Sequence, residues 1–157
     1  MISIRLADFK ADALIIMEGA RDCVRRHKEH QGDLNIGSIF PDDDKVLIAA
    51  LDKIVSFDGL EVLIAEDEKR VVGGIGVLYI PYLWNPELLS ADQLFWWAVE
   101  DAPFRTAKIL FDEAMRRIEE RNAMPIIRVL KTSPKGLEKL CQKVSMVPVE
   151  TMYMRLP

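Results

Sequence analysis

The stretch WWAVEDAPFRTAKILFDEAMRR, residues 96–117, joins an apolar segment to a charged amphipathic one and decides the class of the fold. QLFWWAV (93–99), at its start, is apolar on both faces, which predicts a central strand that helices cover on both sides. A helix is predicted from about Thr106 to Asn122 because apolar residues recur there at helical spacing. Its expected inward stripe is Ala107, Phe111, Ala114 and Ile118. The connection between strand and helix has no glycine, although turns that hold phosphates usually carry glycines.

The C-terminal segments complete a β-α-β unit around this helix. PIIRVLK (125–131) is predicted to be a strand, SPKGLEKLCQKV (133–144) a helix and VETMYMRL (149–156) a closing strand. The chain therefore has alternating strands and helices in its second half, as α/β domains do.

The N-terminal half begins with a short strand and two helices. ISIRL (2–6) alternates as a strand does, and the residues from Asp8 to about His27 have helical spacing. EHQGDLNIGSIFP (29–41) is predicted to be a loop. PDDDKVLIAALDKI (41–54) then begins with acids, which favour a helix N-terminus, and is predicted to be the second helix.

The middle of the chain predicts a hairpin. LEVLIAEDEKRVVGGIGVLYIPYLW (60–84) has two apolar runs around a polar turn at Asp67–Lys69, and WNPELLSAD (84–92) is predicted to be a loop. The full order is β-α-α-β-β-β-α-β-α-β. It indicates one α/β domain over residues 1–157, with a mixed sheet and helices on both faces.

Composition excludes several classes of protein. A formal net charge of −4 and a pI near 5.3 argue against a nucleic-acid binder, which normally carries a basic stripe. The first residues do not have the pattern of a signal peptide, and no apolar run reaches the length of a membrane span. Cys23 and Cys141 lie in separate predicted helices, so a disulfide is not expected. We therefore expect a cytoplasmic protein, in the host cytoplasm if the chain is viral.

Three segments carry a resemblance to a known family. VVGGIGVLYI (71–80) resembles the long third strand of the GNAT acetyltransferase superfamily, and LFWWAVEDAPFRTAKILFDEAMRRIEERNA (94–123) its fourth strand, acetyl-CoA turn and third helix. LCQKVSMVPVETMYMRL (140–156) is similar to the family's ending, L-Y-x-K-x-G-F and a final strand. The resemblance covers nearly the whole chain. IPYLWNPELLSADQLFWW (80–97) and the closing PVETMYMRL (148–156) most resemble phage-encoded members.

The resemblance implies direct transfer of an acetyl group from acetyl-CoA to an amine. In the family the pantetheine arm lies between strands four and five, and the pyrophosphate binds N–H groups at the start of the third helix, where helices favour anions. The family's turn is commonly R/Q-x-x-G-x-G/A. Here Arg105 matches the basic residue, Ala107 replaces a glycine, and Thr106 and Lys108 complete the expected phosphate contacts.

The missing glycines leave a second interpretation of this turn open. A methyl group at Ala107 can crowd a phosphate, and alanine adopts a positive φ only at a cost. Arg105 and Lys108 can offset this by contacting phosphate oxygens, or they are solvated charges on a first helical turn. Backbone N–H groups around Ala98 and Val99 are expected to polarise the thioester carbonyl.

Three residues are candidates for proton transfer. Glu100 follows the apolar strand, where the family's thioester and amine meet, and is the expected base; the alternative is an exposed loop acid. Cys141 stands where the family has the tyrosine that protonates the departing thiolate, although cysteine is also a common small buried residue. Tyr153 on the closing strand is a further candidate acid, unless it only packs on the sheet.

Other patterns favour structure over chemistry. Cys23, His27 and His30 share one face of a helix, but a fourth metal ligand is not evident, so no metal site is expected. The two histidines instead could line the acceptor pocket. Gly73–Gly76 is predicted to be a bulge or a close contact within a strand, and Asp42–Asp44 to cap a helix.

Two functions follow from the sequence. The first is an N-acetyltransferase with acetyl-CoA as co-substrate and a small-molecule or protein amine as acceptor. The second is a catalytically inactive GNAT-fold binding or assembly protein, of phage origin. Neither involves nucleic acid or membrane, and a homodimer is compatible with both.

Overall fold

The computed structural model describes residues 1–30, 44–56, 59–129 and 136–149. Its strands are β1 (Ile2–Leu6), β2 (Leu60–Asp67), β3 (Arg70–Tyr82), β4 (Asn85–Ala98) and β5 (Met124–Ile126). Its helices are α1 (Phe9–His30), α2 (Asp44–Val55), α3 (Thr106–Glu120) and α4 (Gly136–Lys143). The predicted order of elements is confirmed as far as α4. The predicted closing strand and most of the predicted loop at 29–41 lie outside the described residues.

The strands form one mixed sheet in the order β1-β2-β3-β4-β5. Neighbouring strands are antiparallel except β4 and β5, which are parallel because α3 crosses over between them. β2 and β3 form the predicted hairpin. Its turn residues Glu68 and Lys69 have φ values of 50° and 71°, the positive values that a tight two-residue hairpin turn requires.

Helices cover both faces of this sheet, as the sequence predicts. On one face, Leu63 of β2 packs in a core cluster with Phe111 of α3. On the other face, the next residue of β2, Ile64, packs with Ile16 of α1. Successive residues of a strand point to opposite faces, so an uninterrupted apolar strand needs a helix on each side.

β4 shows the same division. Trp96 stacks on Phe111 of α3, with ring centroids 5.7 Å apart, whereas Trp97 belongs to the α1 cluster and is only 5% exposed. Gly74 lies opposite Trp97 in β3, and a β-carbon at Gly74 would lie 2.2 Å from the indole. Gly19 of α1 approaches the same indole as closely. The prediction of a close contact at the strand glycines is confirmed.

The prediction of a loop at residues 84–92 is wrong. β4 begins at Asn85, immediately after the hairpin tip at Leu83 and Trp84. Pro81 pairs with Leu89 and Tyr82 with Asn85, so residues 86–88 form a bulge. Pro86 lies in that bulge, where its missing N–H leaves no ladder hydrogen bond unmade. Asn85 and Pro86 thus mark a hairpin tip and a bulge, and β4 continues after them.

Two further details correct the predictions. The predicted strand at 125–131 is β5 at Met124–Ile126, which pairs with β4 over three positions only. Ala107 is exposed, whereas the sequence predicts it to face inward. Thr106 takes that position, followed along the stripe by Leu110 and Phe111, so the buried face begins one residue earlier.

Candidate active site

The central feature of the site is the point where β4 and β5 separate. β5 pairs only with Ser90, Ala91 and Asp92, whereas β4 stays paired with β3 as far as Ala98. Among the described residues, no β5 partner lies opposite the Gln93–Ala98 half of β4. Arg128, which follows β5, still donates from Nη1 to the carbonyl oxygen of Gln93. We call the β5-side edge of Gln93–Ala98 the wedge.

A bulge in β4 lies where its pairing with β5 ends. In the β3–β4 ladder Gly76 pairs with Phe95 and Val77 with Gln93, so Leu94 is an extra residue in β4. A bulge bends its strand and increases the local twist. The bulge comes two residues after Asp92, the last residue of β4 that pairs with β5.

Buried polar groups lie where the pairing of β4 with β5 ends. Asp92 is 8% exposed, and its Oδ2 accepts a hydrogen bond of 2.7 Å from Nη2 of Arg128, which follows β5. Asp92 Oδ1, Gln93 Oε1 and Trp96 Nε1 are buried and have no hydrogen-bond partner within the described ranges. Such groups are costly to leave unpaired, but Asp92 and Gln93 are successive strand residues that point to opposite faces, so they do not line one common site. Sequence reasoning missed Asp92, although an acid inside an apolar strand is a usable signal.

The second element of the site is the N-terminus of α3. Thr106 N–H and its hydroxyl both donate to the carbonyl oxygen of Pro103, at 3.0 and 2.8 Å. The N–H groups of Ala107 and Lys108 have no acceptor in the part of the chain that the structure describes, and both residues are exposed. Two bare N–H groups at the positive end of a helix dipole are the donors that a helix start presents to an anion.

The cations around this helix start differ in their availability. Arg105 is exposed and has no ion-pair partner among the described residues. Lys108 pairs with Asp112 one turn along α3, which partly neutralises it. Thr106 is buried and its hydroxyl is engaged, so its side chain faces away from any ligand.

The conformational strain in this turn lies at Arg105. Its φ is 87°, in the left-handed region that glycine adopts easily and that costs other residues about 1–2 kcal/mol. Ala107, by contrast, lies within the helix. The expectation that Ala107 is the residue affected by the missing glycine is therefore corrected.

The end of β4 presents backbone groups in alternation. Val99 N–H donates to Val72 O at 3.0 Å, so this amide is engaged in the sheet, and the expected role of Val99 in polarising a carbonyl is corrected. Because backbone groups alternate along a strand, those of Trp96 face the β5 side, at the wedge.

Glu100 follows this end of β4 and is exposed. Its neighbour Asp101 forms a bidentate ion pair with Arg70, at 2.6 and 2.7 Å, and this hydrogen bonding lowers the pKa of Asp101. Glu100 has no ion-pair partner in the described ranges. Of the two adjacent acids, Glu100 is therefore the one whose carboxylate is available to a substrate.

Cys141 lies in α4 and packs, half-buried, against the core cluster on the α3 face of the sheet. Burial raises the pKa of its thiol. The thiol is therefore protonated at neutral pH, and it packs as a small apolar residue does. Tyr153 lies outside the described residues.

A cavity of about 330 Å³ lies on the α1 face of the sheet, beside the end of β4. It is lined by Ile15, Glu18, Gly19, Asp22, Val71, Trp97 and Val99.

The other predicted features have limited structural outcomes. Cys23, His27 and His30 do lie on one continuous helix, α1, but their side chains lie outside the description. In the described ranges, no three histidine, cysteine or acidic side chains are grouped so as to hold a metal ion. None of the four described helices could span a lipid bilayer.

No family model and no curated protein matches the sequence. Solved structures do match. A GCN5-related N-acetyltransferase from Ralstonia eutropha superposes with a TM-score of 0.75 at 14% identity, over 99% of each chain. The chain has the GNAT fold.

Other structures of similar shape extend this comparison. A predicted acetyltransferase with acetyl-CoA from Clostridium acetobutylicum has a TM-score of 0.69 at 17% identity, over 100% of this chain and 96% of that one. A transcriptional regulator from Bacillus halodurans has a TM-score of 0.75 at 20% identity, over 99% and 100%. At such identities the likeness establishes the fold, and activity must be argued from the residues.

Proposed function

We propose that this GNAT-fold chain is an N-acetyltransferase that moves an acetyl group from acetyl-CoA directly to an amine. The observation that carries the proposal is one combination of features. Within the described ranges the pairing of β5 with β4 ends at Asp92, and a short connection after β4 leads into a helix start with two bare N–H groups. An extended ligand with an anionic middle fits this combination, because the wedge can take a narrow arm and the helix start an anion.

The helix start is the proposed pyrophosphate site. The N–H groups of Ala107 and Lys108 donate to phosphate oxygens, and the Arg105 guanidinium adds a charge-assisted contact. Lys108 contributes through its backbone more than through its side chain, because Asp112 already holds the ammonium group.

The wedge is the proposed site of the pantetheine arm and the thioester. Acetyl-CoA, when bound, supplies an acetyl group activated as a thioester. Backbone groups of Trp96 face this edge and can hydrogen-bond an extended chain along the strand, as a neighbouring strand would. An N–H that points at the thioester oxygen favours the negative charge that develops there.

Proton transfer is assigned to residues around the end of β4. Glu100 accepts the proton that the amine loses, directly or through water, because its carboxylate is exposed and not held in an ion pair. The thiol of Cys141 is in the protonated form that an acid requires, and Tyr153 remains the second proposed acid. We also propose that the protein is cytoplasmic.

The decisive experiment is a thermal shift with CoA and with acetyl-CoA. A ligand at a hundred times its Kd stabilises the folded protein by about 2.7 kcal/mol. We expect both compounds to raise Tm, whereas adenosine without phosphates leaves it unchanged because it cannot use the helix start. No shift at millimolar CoA refutes the proposal.

One observation favours a second function, that of a non-catalytic GNAT-fold binding or assembly protein. Arg105 occupies a conformation suited to glycine, and Asp112 partly neutralises Lys108, so the helix start is not fully optimised for phosphate. The absence of a CoA thermal shift would favour this second function. CoA binding without release of CoA thiol in the presence of any amine would also favour it over the acetyltransferase.

A further inference from the structure

The side chain of Arg128 occupies one end of the wedge. Arg128 follows β5, and its guanidinium donates from Nη2 to Asp92 Oδ2 at 2.7 Å and from Nη1 to the carbonyl oxygen of Gln93 at 3.4 Å. Both acceptors belong to β4, at the point where its pairing with β5 ends. At Gln93 the β5-side edge of β4 is therefore occupied by a guanidinium group.

Asp92 holds this guanidinium in place. Its carboxylate is only 8% exposed, and a hydrogen bond between two charged groups is stronger than one between neutral groups. The guanidinium is planar and rigid, so two bonds to different atoms of β4 fix its orientation as well as its position. The Arg128 side chain is nevertheless 46% exposed, so a ligand along the wedge can contact it.

The path of the chain determines which end of a bound acyl-CoA meets Arg128. β4 and β5 are parallel, so α3 runs back between them, from the Ala98 end of β4 towards the Ser90 end. The start of α3, and with it the proposed pyrophosphate site, thus lies at the opposite end of the wedge from Arg128. An acyl-CoA held by its phosphates at the helix start extends along β4 with its acyl group towards Arg128.

This arrangement favours a short acyl chain. An acetyl group adds one methyl to the thioester carbonyl, whereas every longer acyl group adds methylenes in the direction of the guanidinium. A chain long enough to reach the guanidinium must displace it from Asp92 and Gln93. Displacement leaves the Asp92 carboxylate buried without its charged partner, which is costly.

We propose that Arg128 determines the acyl chain length of the donor, with Asp92 as the residue that positions it. The fixed guanidinium ends the wedge beyond a short acyl group and excludes longer ones. This inference rests on the proposed function. It adds a specificity-determining residue for the acyl-CoA and names the property of the donor that this residue selects.

The test is a calorimetric titration of the full chain with CoA, acetyl-CoA, butyryl-CoA and hexanoyl-CoA. Arg128→Ala shortens the side chain and frees the edge of β4 at Gln93. Arg116→Ala removes an exposed, ion-paired arginine of α3 and is the matched control. Asp92→Ala removes the group that positions Arg128, whereas Asp92→Asn keeps an oxygen that accepts its hydrogen bond.

We expect the wild type and Arg116→Ala to bind hexanoyl-CoA about tenfold or more weakly than acetyl-CoA, as overfilling of a packed site does, with butyryl-CoA between them. Arg128→Ala and Asp92→Ala should bind the three acyl donors equally, and Asp92→Asn should still discriminate. CoA has no acyl group, so its affinity should be the same in every variant. A purely structural role of Arg128 would change all four affinities together and leave their ratios unchanged.

Equal binding of acetyl-CoA and hexanoyl-CoA by the wild type overturns the inference, and so does an Arg128→Ala variant that discriminates as the wild type does. Discrimination kept by Asp92→Ala overturns the positioning role of Asp92 alone. CoA binding without discrimination refutes this inference and leaves the proposed function intact. Discrimination without release of CoA thiol towards any amine refutes the transferase proposal alone, and binding of none of the four compounds refutes both.

Discussion

The two halves of β4 have different surroundings. From Ser90 to Asp92 the strand is paired on both sides, and all three residues are buried. From Gln93 to Ala98 its ladder partner within the described ranges is β3, and its other edge is the wedge. The first half thus contributes to the sheet alone, whereas the second leads to the loop that carries Glu100. Within the described ranges, the end of the pairing with β5, and not a special side chain, distinguishes the candidate site from the core.

The largest effect on activity is expected for a substitution of Glu100, which follows β4. Glu100→Gln should lower kcat/KM for acetyl transfer by about a hundredfold or more, because a general base is lost. The CoA thermal shift should persist, since the carboxylate does not hold phosphate. Activity is measured by release of CoA thiol.

The matched control for this change is Asp101→Asn. It breaks an exposed ion pair with Arg70, so it should cost less than about 1 kcal/mol of stability and leave turnover in place. If instead the Asp101 variant is inactive and the Glu100 variant active, the base is assigned to the wrong acid.

A smaller effect is expected at the boundary between the halves. Asp92→Ala should lower the free energy of unfolding by about 2 kcal/mol, because a buried carboxylate no longer accepts the hydrogen bond from Arg128. Urea denaturation measures this loss. Glu87→Ala, at an exposed position near the hairpin tip, is the control and should be nearly neutral. An equal loss of unfolding free energy in the two variants would mean that the hydrogen bond between Asp92 and Arg128 does not stabilise the half of β4 that pairs with β5.

Substitutions of Arg105 distinguish the effect of backbone strain from the effect of the side-chain charge. Arg105→Gly should be more stable than Arg105→Ala by about 1 kcal/mol, because only glycine relaxes a φ of 87°. Both variants should weaken CoA about tenfold through loss of the guanidinium. The checks are urea denaturation and CoA titration. Tighter CoA binding by the glycine variant would show that the backbone, and not the charge, governs this site.

The smallest effect concerns Cys141. Burial raises its pKa above the ordinary value of 9.0, so the thiol in the unfolded chain ionises first as pH rises. Its contribution to stability is therefore complete below pH 9 and is lost as pH rises through the higher pKa of the folded state. Tm measured from pH 7 to 11 should fall more steeply in the wild type than in Cys141→Ser. Parallel curves would mean that the thiol is solvated in the folded protein.

Much of the fold was predictable because its signals are local. The doubly apolar QLFWWAV (93–99) predicted a covered strand, and the spacing after Thr106 predicted α3. The start of β4 was not predictable, because asparagine and proline have the same signature in a loop and in a bulged hairpin. The length of β5 was not predictable either, because its pairing with β4 ends beside a bulge that lies in β4.

The location of the candidate site stays a prediction from the resemblance, and several of its structural details were not predictable from the sequence. The resemblance placed the ligand turn after β4, but no pattern distinguishes Arg105 from Ala107 as the residue with positive φ, because both precede or begin a helix. Glu18 and Asp22 look like ordinary solvated acids in the sequence. Only the packing of α1 against Trp97 turns them toward a cavity.

The close contact of Gly19 and Gly74 with Trp97 also predicts how these three positions vary among related sequences. The three positions are far apart in the sequence, yet neither glycine can gain a methyl group while the indole stays in place. A descendant of this chain that acquires a side chain at position 19 or 74 must therefore also acquire a smaller residue at position 97. The three positions should therefore covary among homologous proteins. This covariation provides a way to recognise homologues whose overall sequence identity is low.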